Sequence, residues 1–174
     1  MFESNDTFVE DAIKSKETSA DKIKKAASII ATVLFLGATV VTGGIIQLIS
    51  IALLIISAIT TFILIGNKNI EYEYDYTNGS LEIAKIINNE KRKKIVAVES
   101  SEVKMVAAVG TNESLKFDHV KLKTYDCSAH DEEQKDYILV AHSEAKGYDF
   151  KVILNPSDKL LTAMEKYNKR DIYR

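Results

Sequence analysis

The sequence predicts an α+β membrane protein: a two-helix transmembrane hairpin, then a small antiparallel β-barrel or sandwich capped by a C-terminal helix. Three observations predict it. Residues Ala26 to Asn67 form a run of 42 positions without a charged side chain, in a chain that is otherwise 28% charged. Directly after it, Ile70, Tyr72, Tyr74 and Tyr76 alternate with Glu71, Glu73 and Asp75 and lead into Asn78-Gly79, the pattern of a half-buried strand entering a tight hairpin turn. Near the end, Asn155-Pro156-Ser157-Asp158 is a helix start signal ahead of an apolar face of Leu160, Leu161, Met164 and Tyr167.

As a single helix the uncharged run would be about 63 Å long, twice the roughly 30 Å of a hydrocarbon core, so it reads as two spans. Thr42-Gly43-Gly44 is the natural reversal, which places the spans at about residues 26–42 and 45–66. The second span carries fourteen Ile, Leu or Phe residues between Ile45 and Ile65, an insertion contribution on the order of −6 kcal/mol. The first has eight Ile, Leu, Val or Phe residues, diluted by Ser28, Thr32, Gly37 and Thr39, and inserts with help from its partner. Lys22, Lys24 and Lys25 precede the run and Lys68 follows it, while the tip has no cation; the positive-inside rule then puts both termini in the cytoplasm of a multi-pass cell-membrane protein. A cleaved signal peptide fits poorly, because the first 25 residues hold six carboxylates and a second span follows at once.

Net charge is −2, which offers no general attraction to nucleic acid, and the single cysteine, Cys127, excludes an internal disulfide. Residues 1–24 read as a cytoplasmic leader. Thr7 and Glu10 have capping-box spacing, with Phe8, Val9, Ala12 and Ile13 along one side of a short amphipathic helix. Thr18 or Ser19 caps a second helix, with Asp21 in its first turn, that runs into the first span.

Residues 67–174 are long enough for one domain with its own core. A two-residue turn at Asn78-Gly79 sets Tyr76 opposite Leu81, Tyr74 opposite Ile83 and Asp75 opposite Glu82. Further strands are expected at Lys94–Val98 after a polar connector 88–93, at about Glu102–Ala107, and at Tyr148–Leu154. Val120–Tyr125 and Tyr137–His142 form a second hairpin around Asp131-Glu132-Glu133, and Gly110–His119 is loop. A helix over 156–167, capped by Asn155, ends the domain. About seven antiparallel strands followed by one helix is the order of a pleckstrin-homology-like domain.

The chain also resembles an uncharacterised, domain-of-unknown-function family of two-pass membrane proteins from Gram-positive bacteria. The resemblance rests on the stretch Glu71-Tyr72-Glu73-Tyr74-Asp75-Tyr76-Thr77-Asn78-Gly79-Ser80-Leu81-Glu82-Ile83. It extends to Lys85-Ile86, to Lys91-Arg92-Lys93-Lys94, and to Asn155-Pro156-Ser157-Asp158-Lys159-Leu160-Leu161. It covers most of the chain and implies no activity and no catalytic residues.

Several constellations carry chemistry in principle. Cys127 and His130, with His142 across the expected hairpin, supply a thiol and two imidazoles, but structural zinc takes four ligands and only one thiol is present, so no metal and no cofactor are expected. Cys127 with His130 lacks an orienting third group for a nucleophile, so no catalytic residue and no enzyme activity are expected. Asp126, Asp131, Glu132, Glu133 and Asp136 lack the alternating oxygens and central glycine of a calcium loop. Tyr72, Tyr74 and Tyr76 read as strand core. The most pointed feature is Lys91, Arg92, Lys93 and Lys94 on a connector that a descending and returning hairpin brings back toward the membrane, a possible contact for anionic lipid headgroups. Two function classes follow: a membrane-tethered module binding lipid headgroups or a protein partner, and a structural or accessory subunit, homo-oligomeric or within a larger membrane complex.

Overall fold

The computed structural model describes residues 7–66 and 69–174. Residues 1–6 of the expected leader, and Asn67 and Lys68 at the end of the second span, lie outside them. The chain forms two compact units, one of helices within residues 17–68 and one of strands.

The helical unit is a hairpin of α1 (Ser19–Val41) and α2 (Gly44–Gly66), which pack along each other. Thr18 caps α1: its hydroxyl accepts the Asp21 N–H at 3.1 Å, while the Asp21 carboxylate answers the cap, so the first helical turn lies well before the uncharged run. The reversal comes at Thr42-Gly43-Gly44, with Gly44 at φ +64°. Thr32 and Thr61 hydroxyls meet across the pair at 3.1 Å and the Gln47 amide donates to the Thr39 carbonyl at 3.3 Å, so polar groups inside the pair find partners. Both helices are 23 residues, about 35 Å, and both are long and apolar enough to cross a membrane. Away from the seam between them their large apolar side chains stay exposed: Leu34 is 66% exposed, Ile45 77% and Phe62 80%. An apolar surface of this length suits the interior of a bilayer.

The second unit joins β1 (Phe8–Ser15) to everything from Asn69 onward. The expected helix over Thr7–Ile13 is therefore a strand. Its TxxE spacing is coincidental; Thr7 instead bonds to the hairpin turn through its backbone, accepting the Asn78 N–H at its carbonyl and donating its N–H to the Asn78 side-chain Oδ1, both at 2.9 Å. Val9, Asp11 and Ile13 alternate inward, a period-2 signal that competes with the helical one and wins once β2 (Ile70–Thr77) lies alongside. Likewise, residues 67–174 are not a complete domain. The helical hairpin is inserted between two neighbouring antiparallel strands, since Ser15 pairs with Ile70.

One sheet runs β1-β2-β3-β4, with β3 (Ser80–Ile87) and β4 (Lys91–Glu99). The predicted cross-strand pairs hold: Tyr76 faces Leu81, Tyr74 faces Ile83 and Asp75 faces Glu82. Gly79 sits at φ +92° in the turn, where a Cβ would come within 3.0 Å of Ser100 Oγ and 3.1 Å of Tyr167. The other sheet runs β6-β8-β7-β5-β9, with β5 (Val103–Ala108), β6 (Lys123–Asp126), β7 (Tyr137–Ser143), β8 (Tyr148–Leu154) and β9 (Ile172–Tyr173). The two sheets do not close into a barrel. A single turn α3 (Asn112–Leu115), capped by Thr111, interrupts the expected loop 110–119. The second predicted hairpin is a correction: β6 does not pair with β7 but runs parallel to β8, with Tyr125 packed edge-on against Phe150 at 5.8 Å. Turn signals between β6 and β7 are real, yet they serve a loop that crosses to the core rather than a tight reversal.

The last helix, α4 (Asp158–Glu165), is shorter than residues 156–167 and is capped by Ser157, whose hydroxyl accepts the Leu160 N–H at 3.2 Å. Asn155 does other work. Its Oδ1 accepts the Ala129 N–H at 2.7 Å, and its Nδ2 donates to the Lys135 carbonyl and Asp136 Oδ1 at 3.0 and 2.7 Å. Asp11 of β1 accepts the Ser157 N–H at 2.8 Å, tying the first strand to the start of the last helix. Between the sheets, Tyr72, Tyr74, Tyr76, Leu81, Ile83, Leu139, Val152, Leu154, Leu160, Leu161 and Met164 form one core.

Candidate functional site

The expected basic connector is the start of a strand. The turn occupies Asn88–Glu90, and β4 begins at Lys91. Side chains alternate along a strand, so the four cations split between two faces. The register places Arg92 opposite Ile86 and Lys94 opposite Ala84, on the face shared with Glu73, Asp75 and Glu82. Arg92 reaches all three carboxylates, at 2.9, 2.7 and 3.1 Å, and Lys94 reaches Glu82 at 2.6 Å. Lys94 and then Arg92 hold the Glu82 carboxyl below its ordinary range, and the hydrogen bonds that Arg92 donates to Glu73 and Glu82 raise its guanidinium. The partners are thus cross-strand neighbours. Arg92 and Lys94 stitch the outer face of the sheet and are committed to it.

Lys91 and Lys93 project from the other face. Lys93 lies opposite Lys85, and Lys85 opposite Tyr72, with the Lys85 ammonium 5.8 Å from the Tyr72 ring centre. Lys91 lies opposite Ile87, and Ile87 opposite Ile70, the row in which Ser15 also sits. Lys85, Lys91 and Lys93 therefore form a cationic group at the end of the sheet where the chain leaves for α1 and α2; none forms an ion pair among the described residues. Lys85, which the sequence offered only through the family resemblance, was not among the expected headgroup contacts. The signal was its strand spacing from Tyr72 across a known turn.

The remaining constellations are structural. Cys127 is buried, its thiol is pushed up to about 12 by burial, and its carbonyl accepts the Tyr74 hydroxyl at 2.6 Å. Beside it, the Ser128 hydroxyl is 2.7 Å from Asp126 Oδ1 and 3.2 Å from His130 Nδ1, and the Ser128 N–H donates to the same carboxylate. That is an Asp-capped turn with a buried serine between acid and imidazole, the wrong order for an imidazole to deprotonate the hydroxyl under carboxylate support. His142 does not join it; it pairs with Asp149 at 2.6 Å, whose carboxyl is held low first by Lys104 and then by His142. Asp131 pairs with Lys16 at 2.8 Å. No cluster of three metal-ligating side chains exists among the described residues. The three strand tyrosines are core, as their alternation predicts.

The family comparison agrees with this architecture. Residues 5–174 match the family described as Bacterial PH-like domain (DUF6106). No match was found among the curated proteins or among the solved structures. An α+β chain with two apolar helices, two β-sheets and a closing C-terminal helix, matched over nearly its whole length, belongs to the family of bacterial PH-like domains of unknown function.

Proposed function

We propose that this protein is a membrane-tethered binding module. Its PH-like domain lies on the cytoplasmic side and is held against anionic lipid headgroups by Lys91 and Lys93, together with Lys85. The observation that carries the reading is the division of the basic run: two cations are consumed by Glu73, Asp75 and Glu82, and two are not. The uncommitted pair lies toward the tethered end, where only three residues separate Ser15 from Ser19 and Gly66 from Ile70. Flanking lysines at 22, 24, 25 and 68 support the cytoplasmic side for both termini. Clustered ammonium groups near an anionic leaflet are attracted within about a Debye length, 8–10 Å. The domain acts by binding rather than catalysis; the inert Cys127 and the Asp126-bound Ser128 support that part of the reading.

The test uses the full chain in nanodiscs of neutral lipid and of neutral lipid mixed with phosphatidylglycerol. Lysine acetylation is read residue by residue by mass spectrometry. Lys85, Lys91 and Lys93 become protected relative to Lys104 in the anionic discs at low ionic strength, and the protection fades at high salt. Equal reactivity in both lipids at low salt overturns the headgroup contact.

A further inference from the structure

Among the described residues the first sheet has two edges without a strand beyond them, β1 and β4, and they are built differently. The β4 edge carries Lys91, Arg92, Lys93 and Lys94, and its register shifts between Ile83 and Ala84. Lysines and a bulge are how an edge strand discourages another chain from adding to it. The opposite edge, β1, has no bulge, and one lysine, Lys14, where β4 has three. It is eight residues of unbroken register, Phe8 with Thr77 through Ser15 with Ile70, without a proline or glycine.

The direction of its backbone groups follows from its two ends. The Thr7 carbonyl accepts the Asn78 N–H, so odd residues turn toward β2; the Lys16 N–H turns the other way and donates to the Ala129 carbonyl at 2.7 Å. Phe8, Glu10, Ala12 and Lys14 therefore present their N–H and C=O groups outward, and no described residue pairs with them. Their side chains are exposed, and the inward Val9, Asp11 and Ile13 are only half-buried, whereas Tyr74 and Tyr76 beside them on β2 are fully buried.

A groove of about 480 Å³ lies at the first end of this edge, between Thr7, Phe8 and Val9 on one side and Asp158, Lys159, Thr162, Ala163 and Lys166 of α4 and its end on the other. Its floor is apolar at Val9 and Ala163. Asp158 faces Arg174 at 3.8 Å, while neither Lys159 nor Lys166 forms an ion pair among the described residues. A segment lying there would meet apolar surface and positive charge on its groove side, and the exposed Phe8 and Glu10 of β1 on its other side.

We infer that β1 is a docking edge for an extended segment of a partner protein, which adds as a fifth strand with an apolar and an acidic side chain, two residues apart, turned toward α4. Main-chain bonds to Phe8, Glu10, Ala12 and Lys14 hold it, Val9 and Ala163 take the apolar side chain, and Lys159 and Lys166 take the acidic one. This inference is independent of the lipid contact, which uses the opposite end of the sheet order.

The probe is the synthetic peptide Thr-Val-Thr-Glu-Thr-Val-Thr-Glu, with its Lys-for-Glu counterpart as control, titrated onto the full chain in neutral nanodiscs. The acidic peptide is expected to slow hydrogen exchange at Phe8, Glu10, Ala12 and Lys14. Ala12→Pro removes an outward N–H without touching the β2 ladder, and should weaken the peptide about tenfold. Lys159→Glu with Lys166→Glu should invert the preference, so that the Lys peptide binds better; damage to the fold cannot produce that inversion, so this pair decides the matter if Ala12→Pro disturbs β1. No protection at the four amides, or protection that both peptides share and the charge reversal leaves unchanged, overturns the inference. A chain that is dimeric without peptide, and monomeric as Ala12→Pro, assigns the edge to self-pairing and overturns it too.

Discussion

Tyr74 and Tyr76 are two residues apart on one face of one strand, both all but inaccessible to solvent, yet losing the hydroxyl should have opposite consequences. Tyr74 donates to the Cys127 carbonyl at 2.6 Å and accepts the Asn155 N–H at 3.3 Å. It thereby ties the first sheet to both the 127–130 loop and the start of the last helix. Tyr74→Phe leaves a carbonyl and an amide buried without a partner, at about 1–2 kcal/mol each, so about 2–4 kcal/mol in all. The Tyr76 hydroxyl is buried with no partner among the described residues, and only its ring is engaged, edge-on with Tyr167 at 6.0 Å. Tyr76→Phe removes an unsatisfied group and keeps the ring, so its effect lies between neutral and about 1 kcal/mol stabilising. For a domain of this size the Tyr74 variant should melt roughly 10–20 °C lower. Pulse proteolysis of the full chain in urea, in nanodiscs, measures both without relying on tyrosine spectra. Equal destabilisation by the two substitutions, or a silent Tyr74→Phe, refutes the reasoning, since it would mean the bonds contribute no more than the rings.

Three further outcomes follow from the same contacts. Replacing residues 17–68 by a short Gly-Asn turn should yield a soluble, folded β domain, because Ser15 and Ile70 are already paired neighbours; residues 69–174 alone should fail to give dispersed amide NMR spectra, lacking β1. Stability should fall as pH rises through about 9 to 12. Burial raises the Cys127 thiol and the Tyr76 hydroxyl to about 12, so the unfolded chain ionises first and binds fewer protons, which makes the stability slope negative, and Cys127→Ala should flatten it in urea melts at alkaline pH. Gly79→Ala should cost about 1–3 kcal/mol in the same assay, from positive φ and the approach of Ser100 and Tyr167; an unchanged midpoint would show that the turn relaxes freely.

The sequence by itself determined whatever depends on near neighbours. A 42-residue uncharged run is too long for one span and breaks at Gly43-Gly44, so the helical hairpin was legible. Asn78-Gly79 set the register of Tyr74, Tyr76, Leu81 and Ile83 by turn length alone, and Thr18 or Ser19 ahead of Asp21 announced the start of α1, Thr18 being the cap. Only the tertiary structure decided whatever depends on a distant partner. Val9-Glu10-Asp11-Ala12-Ile13 satisfies helical and strand periods alike, and β2, more than fifty residues on, chooses between them by offering a ladder of backbone bonds and a core. β6 joins β8 rather than β7 because Tyr125 finds Phe150 there. The run Lys91 to Lys94 looked like one cationic patch while it was read as a loop. Strand geometry divides it, giving Arg92 and Lys94 to carboxylates of neighbouring strands and leaving Lys91 and Lys93 on the other face, because side chains of a strand alternate and a sequence does not show what lies across from them.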